Sequence, residues 1–298
     1  MIQSSAVAVV AALLLLVQIP QPDGGGVERG DLPASWTTGK ACPETPPFNV
    51  HRFNDGFVIL RQSGCTNFEK PFLYLLFGSQ TALLVDTGAK SADVSGAVRT
   101  TMQQWSAEHA GRLPRLVVVH SHGHGDHTAG DAQFKDAPGT TLVAATPASL
   151  QQFFGISHWP EDIAAYDLGD RIVDVIPIPG HEPASIAIYD RRTGILLTGD
   201  TVYPGRLYVR DGAAFAASIQ RLVAFTDGKV VTHVLGAHIE NARTPYLDYP
   251  EGTTYQPDEH ALALGRAHIL ELDRELQGMH GHIVRRAMRD FTIWPLQP

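Results

Sequence analysis

Residues 117–131 read VVVHSHGHGDHTAGD. Four histidines, His120, His122, His124 and His127, fall within eight residues, and one carboxylate, Asp126, lies among them. The stretch continues RLVVVH (115–120), a run apolar enough to be a strand buried on both faces. Strand ends in α/β folds commonly carry the active site. Imidazole and carboxylate are the preferred non-sulfur ligands of zinc. The spacing says more than the count. His122 and His124 are two apart and can face one ion; Asp126 and His127 are adjacent and can face a second beside it. Gly123 and Gly125 alternate with these residues and are expected to let the loop turn tightly. A lone loop histidine is ordinarily a surface residue. At this chain's own His and Asp frequencies, however, H-x-H-x-D-H arises by chance in roughly one chain in five hundred, which decides for a metal site.

The layout around this stretch alternates strands and helices. GFVILRQ (56–62), FLYLLFG (72–78) and TALLVDTG (81–88) are short apolar runs split by turn residues and predict consecutive strands. Residues 91–111 predict a helix with a Ser/Asp start and a Gly stop. TTLVAAT (140–146) predicts a strand and 147–154 a short helix. RIVDVIPIPG (171–180), SIAIYD (185–190) and GILLTGD (194–200) predict three more strands, the last two joined by the turn RRTG. A helix at about 213–225, a strand at 230–238 and a long amphipathic helix at about 257–278 follow, and FTIW (291–294) is expected to close a sheet edge. Strand runs followed by helices, twice over, predict an α/β (α+β) fold: a four-layer αββα sandwich of two mixed sheets flanked by helices.

The N-terminus carries an apolar run from Ala6 to Val17, then Pro20, Pro22 and three glycines. That is the length of a signal-peptide core and short for a membrane span. Residues 1–22 are therefore expected to be a signal peptide, 23–44 a flexible lead-in and 45–298 the folded domain. The expected location is periplasmic or secreted, with no stable membrane partner unless the segment stays uncleaved. The chain has 298 residues, a formal charge of −8 and an apolar share of 44%, sufficient for a sizeable core. An acidic balance without a basic, aromatic-interleaved stripe argues against nucleic acid as partner. The expected partner is a small-molecule substrate. Of two cysteines, Cys42 and Cys65, export would favour one disulfide, and their spacing does not suit a cysteine metal site.

Three further motifs fall at strand ends in the same order along the chain. PGH places His181, GD places Asp200, and GAH places His238. Together with VDTG, which carries Asp86, and HGHGDH, this set resembles the metallo-β-lactamase fold superfamily over roughly residues 50–240. The resemblance implies that His122, His124 and His181 hold a first zinc and that Asp126, His127 and His238 hold a second. It implies further that Asp200 bridges two zinc ions per chain and that Asp86 supports the set. Iron or manganese are the alternative occupants. His120 falls outside this register as a strand-end residue. The remaining histidines have no comparable context, except that His260 lies in a loop expected near the mouth.

The family's chemistry is hydrolysis by a hydroxide shared between two zinc ions, with Asp126 shuttling its proton. A bridging aspartate is typical of the hydroxyacyl-thioester hydrolases and lactonases rather than of zinc β-lactamases. The resemblance therefore implies cleavage of an ester, lactone, thioester or amide bond. Lactonases carry a tyrosine three residues after the bridging aspartate. Tyr203 stands at that offset, so it is expected to touch the substrate, with Trp159, Arg206, Tyr208 and Tyr255 as further wall candidates. The competing readings are an exported β-lactamase-type hydrolase, or an iron oxygenase or binding protein of the same fold.

Overall fold

The structure is a computed structural model and describes residues 26–36, 42 and 45–296. The expected signal peptide lies outside the described residues. The first sheet contains β1 (Phe48–Asn54), β2 (Phe57–Gln62), β3 (Phe72–Phe77), β4 (Thr81–Val85), β5 (Arg115–Val119) and β6 (Thr140–Leu142), in that order across it. Its first four strands form antiparallel pairs, and β4, β5 and β6 run parallel. The second sheet is built from β7 (Ala164–Asp167), β8 (Ile172–Pro177), β9 (Ile186–Asp190) and β10 (Ile195–Gly199). Beyond β10 it continues with β12 (His233–Gly236), which is parallel to β10, and β13 (Ala263–Leu264). A third, three-stranded sheet holds β11 (Arg206–Val209), β14 (Arg286–Ala287) and β15 (Thr292–Pro295).

Three apolar layers separate the elements. Between the large sheets, Phe57, Ile59, Leu83 and Val119 meet Val173, Val175, Ile188 and Leu197. On the outer face of the first sheet, Leu60, Leu75, Leu84 and Val118 pack on Val94, Val98 and Met102 of α1 (Val94–Glu108). On the outer face of the second, Ile176, Ala187 and Val234 pack on α4 (Gly212–Phe225) and α5 (Arg266–Gly278), with Leu207 and Ile293 of the third sheet. The order is therefore helix, sheet, sheet, helix. Alternate side chains of each strand serve two different apolar layers, which is why the strands read as continuous hydrophobic runs. Two short helices complete the set, α2 (Gly125–Thr128) and α3 (Pro147–Phe154). Helix α3 matches its sequence signals, with Thr146 capping the Ser149 N–H, Pro147 in the first turn and Gly155 at φ +71° after the last turn.

Several sequence expectations need correction. The expected helix over 257–278 begins only at Arg266. Glu259 is 2% exposed, accepting from Arg61 Nη1 at 2.6 Å and from the Trp36 N–H at 2.9 Å. That buried anchor holds the preceding segment extended, and Ala263–Leu264 join the sheet as β13. Residues 292–295 do not close an edge; β15 sits between β11 and β14. The described part of the lead-in is largely exposed but anchored to the domain. Trp36 is 3% exposed in the inter-sheet core, and Asp31 N donates to Phe53 O at 3.1 Å. Among the described residues, no helix is long and apolar enough to cross a membrane.

Candidate metal centre

Strand pairing brings the motifs to one edge. Val85 of β4 pairs with Val119 of β5, so the segments carrying Asp86 and the histidines leave the first sheet together. Gly199 of β10 pairs with Gly236 of β12, so those carrying Asp200 and His238 leave the second sheet together. Backbone hydrogen bonds join the two sheets here, from Ile186 N to Ser121 O and from Phe72 N to Ala237 O, each 2.8 Å.

Left-handed backbone precedes two of the candidate donors. Gly180 has φ +136°, and a Cβ there would lie 2.4 Å from the Phe215 backbone. Gly199 has φ +51°, and its Cβ would lie 2.7 Å from Ser121 Cβ. Only glycine fits these close approaches, which aim His181 and Asp200 inward. In the histidine loop itself, neither Gly123 nor Gly125 has positive φ. Instead α2 starts at Gly125 and presents Asp126 and His127 from its first turn.

The donors converge in two clusters, His122–His124–His181 and Asp126–His127–Asp200–His238. In the first, His122 Nε2, His124 Nδ1 and His181 Nε2 lie 3.0–3.2 Å from one another. In the second, His127 Nε2, His238 Nε2 and Asp126 Oδ2 lie 3.2–3.4 Å apart. Ligands at about 2.0–2.1 Å around a tetrahedral ion would sit roughly 3.3–3.4 Å from each other, so both spacings suit one cation. Asp200 divides its carboxylate between the clusters. Its Oδ1 is 3.6 and 3.4 Å from His127 and His238 Nε2, and its Oδ2 is 3.7 and 3.6 Å from His122 and His181 Nε2. Those distances exceed good hydrogen bonds, and Oδ1 is a buried acceptor without a hydrogen-bond partner. A cation would satisfy it.

The opposite ring nitrogens are held from outside. His181 Nδ1 lies 2.9 Å from Tyr208 O, His238 Nδ1 2.9 Å from Glu69 O, and His127 Nδ1 2.9 Å from Asp86 Oδ2. Carbonyl and carboxylate oxygens can only accept, so each Nδ1 donates and each Nε2 turns toward its cluster. Asp86 also accepts from Ser121 N at 2.7 Å and Ser121 Oγ at 2.8 Å. His120 lies outside both clusters, its Nε2 2.8 Å from Asp131 Oδ1.

Burial lowers the affinity of His122 and His181 for a proton, leaving neutral lone-pair donors. Burial opposes charge on His238 as well, but Asp200 and Asp126 outweigh it and push the imidazole up to about 9. The same competition raises His127, chiefly through Asp126 and Asp86. Against their own burial, Asp126 and Asp200 are held well below the usual carboxylate range by His127 and His238. Ionised carboxylates among imidazoles that compete for protons form a donor set suited to a divalent cation.

Of the expected wall residues, Arg206 and Tyr208 line a cavity of about 210 Å³ beside His238. Tyr255 lines a different cavity, near Arg61 and Cys65, and Trp159 packs on the inter-sheet core. Tyr203 does not offer its phenol to that cavity. It is 1% exposed, and its hydroxyl donates to Arg206 O and lies 3.2 Å from Glu240 Oε2. Those internal acceptors, not a substrate, account for its position. His260 lies 3.1 Å from Asp290 Oδ1 and joins neither cluster. Sequence reading missed Glu69, Lys70 and Thr253, which line the cavity from two loops with no periodic signal.

A family model described as the metallo-beta-lactamase superfamily matches residues 68–254. The acyl-coenzyme A thioesterase MBLAC2 of Homo sapiens is 26% identical over 220 residues, covering 62% of this chain and 78% of that protein. The hydroxyacylglutathione hydrolase of Anaeromyxobacter dehalogenans is 32% identical over 170 residues, covering 54% of this chain and 59% of that protein. Among solved structures, the metallo-beta-lactamase from Pontibacter korlensis superposes with a TM-score of 0.52 at 15% identity, over 77% of this chain and 99% of its own, a likeness of fold.

Proposed function

The chain belongs to the metallo-beta-lactamase superfamily of hydrolases, and on that premise we propose that its two clusters hold two zinc ions and serve cleavage of an ester, lactone, thioester or amide bond. The observation that carries this reading is the division of Asp200, one oxygen toward each cluster. His122, His124 and His181 would hold the first ion, Asp126, His127 and His238 the second, and Asp200 both. Such a pair of ions supplies an acidified water and neutralises charge developing on the attacked carbonyl oxygen. The chain's own residues do the rest. Asp86 and the carbonyls of Glu69 and Tyr208 orient the imidazoles. Asp126 is about one-fifth exposed, so it can take a proton within the site and pass it to the leaving group. The acyl-coenzyme A thioesterase and hydroxyacylglutathione hydrolase relatives support thioester chemistry over β-lactam cleavage.

Elemental analysis of zinc-loaded protein, with a parallel screen of thioesters, lactones, esters, phosphodiesters and β-lactams, tests the reading. The expected result is two zinc ions per chain and acyl-ester or thioester turnover at least about tenfold above any β-lactam. A ceiling of one ion per chain, or β-lactams cleaved far faster than every ester and thioester, overturns it.

Export belongs to the same proposal. Cys42 and Cys65 are joined in a disulfide, a bond that persists mainly in oxidising compartments. Protein isolated from its native host is expected to have lost about twenty to thirty N-terminal residues. An N-terminus beginning at Met1 on cytoplasmic protein would contradict it.

A further inference from the structure

The cavity beside His238 is small. At about 210 Å³ it has room for about seven waters, so it suits one substituent of a substrate rather than a whole carrier molecule. Its lining includes two cations, Lys70 and Arg206. Both already donate to the protein, Lys70 to carbonyl oxygens and Arg206 to carboxylates as well. Lys70 is 7% exposed, and its ammonium donates to Phe68 O and, at 2.6 Å, to Thr253 O. Arg206 Nε donates to Asp248 Oδ2 at 2.8 Å, its Nη2 to Tyr249 O, and its Nη1 lies 3.3 Å from Glu240 Oε1. Glu240 is engaged in turn, accepting from Arg206 N at 2.6 Å and lying 3.3 Å from Arg206 Nη1.

Two carboxylates in this wall are left over, and of these Glu251 is exposed while Glu69 is partly buried. Glu69 is half-buried, lines the cavity, and its side chain has no hydrogen-bond or ion-pair partner among the described residues. It shares the cavity wall with His238, whose Nδ1 lies 2.9 Å from the Glu69 carbonyl, so it borders the metal centre. Its place is fixed from two sides. The Glu69 carbonyl receives His238 Nδ1, and the next residue, Lys70, is pinned to Thr253. A partly buried acceptor without a donor is a recognition element for a substrate group that supplies one.

We propose that Glu69 makes this cavity a specificity subsite for a cationic or hydrogen-bond-donating substituent close to the scissile carbonyl, and that the subsite disfavours anionic ones. This rests on the hydrolytic reading above and deepens it. The named substrates of the relatives are carried by anions, coenzyme A and glutathione. Such a carrier finds in this cavity only cations whose donors the protein already engages, and an anionic group placed here would face Glu69.

The test compares three thioacetates of equal size on zinc-loaded protein: acetylthiocholine, its uncharged tert-butyl isostere and a carboxylate counterpart. The wild type is expected to favour the cation over the neutral compound by about tenfold in kcat/KM, mostly through KM, with the anion slowest. Glu69→Gln should bring the cation-to-neutral ratio to about one, and Glu69→Asp should restore part of it. Equilibrium binding of choline against its uncharged isostere, by calorimetry on both proteins, gives a readout independent of turnover. A cation preference that survives in Glu69→Gln, an anion that is the best substrate, or choline bound no better than its isostere overturns the proposal. If none of these thioacetates turns over, the thioester arm of the hydrolytic reading fails, and choline binding alone still decides for or against the subsite.

Discussion

Asp200→Ala is expected to release metal, most of it from the Asp126–His127–His238 cluster, and to lower turnover by about a thousandfold or more. Loss of a residue that merely supports a metal ligand typically costs about 10- to 100-fold. Asp200 faces both clusters directly, so its loss should exceed that. Without it the second cluster keeps Asp126 as its sole carboxylate, and the first keeps three imidazoles and no carboxylate. The mutual repulsion of two dications would then be offset by one negative charge instead of two. Asp200→Asn separates the causes, because it keeps the shape and one carbonyl oxygen but removes the charge. It should retain more metal than the alanine variant and still lose most of the rate. Metal per chain after dialysis against a weak chelator, measured beside kcat, reads both effects. Two retained ions with wild-type turnover in Asp200→Ala would refute the bridging role.

Arg171→Ala should destabilise the fold by about 3–5 kcal/mol, the usual cost of leaving a buried charge without its partner. Arg171 is 1% exposed and Asp190 fully buried. The guanidinium donates through Nε and Nη2 to the two Asp190 oxygens at 3.0 and 2.6 Å. Its Nη1 reaches across to the first sheet, to Gly56 O and, at 3.1 Å, to Phe77 O. The substitution therefore strips Asp190 of its counter-charge and also cuts a tie between the two sheets. Against a total stability of about 5–15 kcal/mol, such a loss brings the protein near its unfolding threshold. Arg171→Met combined with Asp190→Leu should recover most of it, since neither charge then stays buried alone. Urea unfolding of the wild type and the two variants decides; a loss under about 1 kcal/mol in Arg171→Ala would show that water reaches Asp190.

Both predictions use features that differ in how far the sequence announces them. Asp200 sits in the local pattern LLTGD, where a strand ends in a glycine that permits a close turn. Arg171 carries no such mark. Its acceptors lie 19 residues away in Asp190, 94 in Phe77 and 115 in Gly56, and no periodicity relates them. Tyr203 shows the same gap from the other side. Its offset from Asp200 is local and readable, but its hydroxyl is directed by Arg206 O and by Glu240, 37 residues on. The expected helix over 257–278 failed at its start for a similar reason, because Arg61, 198 residues away, buries Glu259.

The sequence by itself determined the strand ends and the seven residues that the fold gathers into two clusters. The strand ends follow from short-range physics, apolar runs that must be buried; the seven residues follow from imidazoles and carboxylates at strand-to-loop junctions together with the resemblance those motifs carry. The tertiary structure alone decided how those residues are oriented and what surrounds them. His238 takes its orientation from the carbonyl of Glu69, 169 residues earlier, and His181 from that of Tyr208. The cavity beside them forms where the loops around Glu69 and Thr253 meet, tied by Lys70. Which cations remain free there depends on pairings between segments far apart in the chain. Such pairings form only when whole sheets stack, so a local reading of residue types cannot contain them.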